Sequence, residues 1–79
     1  MYAICVCKAT RPVTVAKEYV ENLQDAVAIA DDVYAKIKLL NEFMCSGVAV
    51  IIVKQIDLEM FLTDRFTWGK ITVYQFGVY

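Results

Sequence analysis

Cys5 and Cys7, with Cys45 further along, are the side chains whose type and spacing come nearest to chemistry. Three thiolates make up three of the four ligands that a structural zinc site needs, and the chain contains no histidine to serve as the fourth. Only a site shared between two subunits would complete the set. A reactive thiol also needs its pKa lowered by a helix N-terminus or a nearby cation, yet Cys45-Ser46-Gly47 follows the helical pattern of the chain instead of preceding one. The missing histidine removes the commonest general base, and Ser46, the single serine, has no partner for Ser-His-Asp chemistry. Thiol, carboxylate or lysine mechanisms stay open in principle, but nothing supplies a positioned base. Cys5 and Cys7 stand at i and i+2 of an extended segment, where side chains run parallel ~6.6 Å apart. That geometry disfavours a mutual disulfide, so they read as reduced thiols filling a tightly covered sheet face. No metal and no cofactor is expected, and the chain is not expected to be an enzyme.

The remaining candidates point to binding. Asp25, Asp31 and Asp32 sit on the polar side of a helical pattern, as a solvated face or an acidic patch that docks a basic partner. Asp31 and Asp32 are adjacent, so they diverge and do not form an acid/base couple. Phe61, Phe66, Trp68, Tyr74, Phe76 and Tyr79 form an aromatic string, with Arg65 and Lys70 on either side of Trp68. Trp and Tyr give large contact area at low entropy cost, which makes them common anchors at interfaces. Phe61 and Phe76 are expected to be core. Trp68, in an expected loop next to Gly69, is open between core and surface, and Trp68→Ala is expected to leave the fold intact. The three glycines Gly47, Gly69 and Gly77 lie too far apart for a phosphate loop.

These residues need elements to hold them. Residues 2–9 alternate as a strand, with Tyr2, Ile4 and Val6 on one face and Ala3, Cys5, Cys7 and Ala9 on the other. Thr10-Arg11-Pro12 interrupts it, and residues 13–19 resume the extended pattern with Val13, Val15 and Tyr19 together, which predicts a hairpin. Asn22 is a good N-cap, and Asp25 three residues later makes a variant capping box. Leu23, Ala26, Val27, Ala30, Val33, Tyr34, Ile37 and Leu40 then form one apolar stripe, predicting a helix over 23–40. Asp32 and Lys36 add an i,i+4 pair. Residues 48–53 are apolar on both faces, the mark of a central strand. Residues 57–68 fit strand or helix equally, with a short helical turn near residue 60 as one option. Residues 70–78 read as the last strand, entered at Gly69. The expected fold is therefore α+β over a single domain, 1–79: a small two-layer sandwich of order β-β-α-β-β, an antiparallel sheet with one long amphipathic helix on one face.

Composition turns this layout into a functional question. The 79 residues are 59% apolar with a mean hydropathy of +0.50. A domain of this size buries only about 60% of the surface its unfolded chain exposes. The longest strictly apolar run, residues 48–53, is far short of the ~20 residues of a spanning helix. No signal-peptide layout opens the chain, so a soluble cytoplasmic protein is expected, with no membrane contact. One helix covers one sheet face. The face of Ala3, Cys5 and Cys7, with aromatics of the last strand, would then meet water, more chain or a partner.

In size and element order the whole chain resembles small phage accessory proteins, including some anti-CRISPR inhibitors, although no motif carries the likeness. The resemblance implies a viral accessory protein in the host cytoplasm that occludes a surface of a host or defence complex. The expected function is thus a non-catalytic protein-binding module, an inhibitor or homodimer, with Asp25, Asp31, Asp32, Arg65, Trp68, Lys70 and Tyr74 as candidate contacts. The alternative is a nucleic-acid-binding module using the last hairpin and Arg11, Lys17, Lys54, Arg65 and Lys70. A net charge of −1 with scattered basic residues makes it the less favoured reading.

Overall fold

The structure is a computed structural model that describes residues 1–8, 11–40, 47–64 and 68–77. The alternating N-terminal run forms β1 (Tyr2–Lys8), which pairs with β2 (Arg11–Val20) as an antiparallel hairpin. β2 takes in Arg11 and Pro12, which alternation alone excludes. It is the edge of the sheet, where a proline without an N–H is tolerated. The amphipathic run forms α1 (Leu23–Leu40), and the two-sided apolar run forms β3 (Val48–Lys54). A 3-10 turn (Gln55–Asp57), α2 (Leu58–Thr63) and the four-residue α3 (Trp68–Ile71) lead to β4 (Thr72–Phe76). The four strands lie in the order β2-β1-β3-β4, with every neighbouring pair antiparallel.

α1 begins where its capping residues dictate. The Asp25 N–H donates to Asn22 Oδ1 at 2.8 Å, and Asn22 Nδ2 donates back to Asp25 Oδ2 at 3.0 Å. Its buried side is small at Ala26 and Ala30, so the helix lies close to the sheet. There Ala26 and Ala30, flanked by Val27, Val33, Tyr34 and Ile37, pack on Ile4, Val50 and Ile52. Burying such a face supplies most of the stability of a helix like this.

The opposite face departs from a two-layer sandwich. Ala3, Cys5, Cys7, Ala49, Ile51 and Val53 are buried there by the chain itself, under Leu58 and Phe61, with Trp68 and Ile71 packed alongside. Residues that fit strand or helix equally well are thus largely helical, and they form a thin third layer. Only burial decides this: Leu58 and Phe61 are i,i+3 neighbours, and as a helix both reach the sheet. The last strand is also shorter than its pattern suggests. Gly69, Lys70 and Ile71 belong to α3, which the Thr72 hydroxyl closes by donating to the Trp68 carbonyl at 2.5 Å. A register shift between Ile52 and Val53 leaves Val73 as an extra residue, so Val73 and Phe76 both pack toward α1. The aromatics of the last strand therefore lie on the helix side and not beside Cys5.

Gly77 ends β4 at φ +86°, and a Cβ there would lie 2.7 Å from the Val48 carbonyl oxygen and 2.7 Å from the Tyr34 ring. The ring can shift, but the β3 carbonyl cannot. Gly77→Ala is expected to cost ~1–3 kcal/mol, lowering Tm by ~4–8 °C per kcal/mol in a domain of this size. Gly69→Ala, with nothing within 4 Å of the added methyl, should melt within a degree or two of the parent. Equal melting points for the two variants would contradict this account.

Candidate functional site

The residues expected to bind a partner do not converge. Asp25 and Asp32 are exposed on α1 but already engaged, Asp25 in the cap and Asp32 in a 2.9 Å ion pair with Lys36. Asp31 is exposed beside them. Lys70 and Trp68 belong to α3, on the other side of the sheet. Arg65 lies outside the described residues, as do Cys45, Phe66 and Tyr79. Tyr74 is 45% exposed on β4 and leans on Phe76 at 5.0 Å between ring centroids. The aromatic string is therefore two clusters on opposite faces. Tyr34 and Phe76 stack on one (6.3 Å), and Phe61 and Trp68 on the other (4.6 Å, 18° between planes). Of the basic residues of the nucleic-acid alternative whose side chains are described, Lys17 and Lys54 lie on β2 and β3, and Lys70 lies on α3.

Trp68 is a packing residue. Its ring covers Phe61, and its indole Nε1–H donates to the Phe61 carbonyl at 2.5 Å, pinning α3 to α2. These contacts argue against the expectation that Trp68→Ala spares the fold.

A surface that the sequence did not announce lies where β1 begins and β2 and β3 end. Met1, Tyr2, Tyr19, Lys54, Gln55 and Ile56 line an open groove of about 510 Å³. Next to it Ile56, Glu59, Met60, Thr63 and Asp64 line a second one of about 420 Å³. Ile56 is the ridge common to both and is 87% exposed, with Tyr19 at 66%, Met1 at 64% and Met60 at 48%. Single exposed apolar residues are ordinary, and here four large ones stand around adjoining grooves.

Backbone geometry holds this surface in place. β2 slips register against β1 three times, two of them on the side of Tyr19. Val15 pairs with Cys5 and Lys17 with Ile4, leaving Ala16 extra, and the next pair is Val20 with Tyr2. Alternation puts Tyr19 beside Val15, and these bulges turn it out instead. Tyr19 adopts φ 57°, a left-handed conformation that costs an ordinary residue about 1–2 kcal/mol. Gln55 supports it: the Tyr19 N–H donates to Gln55 Oε1 at 2.8 Å and Gln55 Nε2 donates to Glu18 Oε1 at 3.1 Å. The Gln55 N–H donates to the Met1 carbonyl at 2.9 Å, so one residue ties three strand ends together.

The thiols are placed for packing. Cys5 and Cys7 form no disulfide, and both are fully buried. Burial, helped by Cys7 and Glu18, pushes the Cys5 thiol up to about 12 from 9.0, so it keeps its proton. Among the described residues no group of three metal-ligating side chains occurs. None of the described helices is long and apolar enough to cross a membrane. With this geometry in view, no family model matches the chain, and neither a curated protein nor a solved structure shows significant similarity to it.

Two outcomes test these assignments. Trp68→Ala should destabilise the protein by ~2–4 kcal/mol, as loss of a packed aromatic does, read as an earlier midpoint in urea; an unchanged midpoint would return Trp68 to the surface. Between pH 9.0 and about 12 the unfolded chain loses a thiol proton that folded Cys5 keeps. Stability should therefore be complete below pH 9 and fall above it, by up to ~1.4 kcal/mol per pH unit. Cys5→Ala should flatten that slope relative to the parent in unfolding measurements at pH 9 to 11. Parallel slopes would show an ordinary thiol.

Proposed function

We propose that this protein is a non-catalytic protein-binding module that engages its partner through the Met1–Tyr19–Ile56–Met60 surface. One observation carries the reading: four large apolar side chains stand exposed around two adjoining grooves, on a frame held by Gln55. Strain at Tyr19 supports it. A left-handed non-glycine residue persists only where its surroundings enforce it, and such positions gather at sites of function. The acidic face of α1 plays a lesser part, because Asp25 and Asp32 already serve the helix. A phage-type inhibitor that occludes a surface of a host or defence complex is the narrower form of this reading. It rests on size and element order, and the exposed apolar surface supplies the means of occlusion.

Variants with intact folds separate the surfaces. Ile56→Asp changes a side chain that is 87% exposed, so its Tm should stay within ~2 °C of the parent. With each protein immobilised and challenged with a host lysate, the parent should retain specific partners that Ile56→Asp loses and that Asp31→Asn/Asp32→Asn keeps. Loss in the aspartate variant alone would move the site to α1. Retention of nucleic acid, with a steep fall in added salt, would favour the nucleic-acid reading.

A further inference from the structure

Ile56 divides a groove that carries a lysine from one that carries two carboxylates. Lys54 is the charged residue lining the first groove, whereas Glu59 and Asp64 line the second. A knob flanked by hollows of opposite charge is complementary to itself. A twofold axis beside Ile56 lays the first groove of one copy over the second groove of the other, and Lys54 of each copy then faces Glu59 of its mate. Isologous pairing of this kind is the commonest symmetry of soluble oligomers, and it makes every contact twice.

From this arrangement we infer that the occupant of the surface is a second copy of the same chain, giving a twofold dimer. Ile56 enters the groove between Tyr19 and Lys54 of the partner copy, and two Lys54–Glu59 pairs fix the orientation. This inference rests on the surface assigned under the proposed function and specifies what covers it. Both sheet faces are already covered within one chain, so neither is free to meet the second copy, whereas Ile56, Tyr19 and Met1 stand exposed around the grooves. The pairs across the rim add specificity more than affinity, since exposed charges are screened by water and salt.

Absolute mass by light scattering, over a range of concentrations at low ionic strength, tests the dimer. The parent should approach 18 kDa, twice the 9.0 kDa of one chain. Ile56→Asp should run as a folded monomer, its dimer dissociation constant raised more than ~30-fold, as for an interface hot spot, with a Tm that matches the parent's only at concentrations where the parent is dissociated. Lys54→Glu puts like charges together at both rim pairs, and so does Glu59→Lys. Each should weaken the dimer several-fold, and an equimolar mixture of the two variants should restore it, because both rim pairs of the mixed dimer are again of opposite charge. A parent that remains at 9.0 kDa throughout overturns the dimer, while the lysate comparison of Ile56→Asp still decides the surface on its own. A dimer insensitive to Ile56→Asp, or a charge-swapped mixture no stronger than its components, overturns the proposed geometry.

Discussion

The ladder between β1 and β3 is the constraint on which the rest of the molecule depends. Seven consecutive pairs, from Tyr2 opposite Lys54 to Lys8 opposite Val48, run without a bulge. Residues 48–53 are buried on both faces. Directly opposed residues share a face, so this register sorts the core into two sets: Ile4, Val50 and Ile52 on one side, and Ala3, Cys5, Cys7, Ala49, Ile51 and Val53 on the other. A slip of one residue would exchange the sets and leave α1 and α2 facing the wrong side chains. The hairpin, the long helix and the short helical layer all dock onto this pair of strands.

Regularity at the centre contrasts with irregularity at the edges. β2 shifts register three times against β1, and β4 shifts register against β3. Bulges at edge strands discourage strand addition by other chains and re-aim individual side chains. Here they turn Tyr19 outward and bring Val73 and Phe76 to the α1 side. Gln55 has no such freedom. Its backbone and side chain together bond Met1, Glu18 and Tyr19, and so convert three chain segments into one exposed platform. A surface built in this way is held by the sheet and not by a loose loop, which keeps the entropy cost of binding low.

The second layer of helix also changes how the apolar composition is understood. A single helix over a four-stranded sheet would leave the Cys5 face open. In the structure α2 and α3 close it, and Phe61 stacked with Trp68 is the keystone of that closure. Cys5 and Cys7 then become filler between layers, with the Cys5 proton retained because water is excluded. Of the large apolar side chains that stay exposed, Met1, Tyr19, Ile56 and Met60 gather around the two grooves, while Leu39 stands out from α1 and Tyr74 from β4.

Much of this was written in local pattern. The cap at Asn22 and Asp25, the stripe from Ala26 to Ile37, the Asp32–Lys36 pair and the two-sided run of β3 each follow from spacing within one element, and each stands where spacing puts it. Local physics suffices there because neighbours along the chain supply the interaction. Tertiary structure alone decided the helical state of residues 58–63, where helical and strand periods coincide and only burial of Leu58 and Phe61 on the sheet breaks the tie. It also decided that Trp68 packs, and that Tyr19 and Ile56 emerge at a common surface. Bulges leave no trace in alternation, and a groove between strand ends belongs to residues far apart in sequence: Met1, Tyr19 and Ile56 become neighbours only when β1 has been paired on both sides.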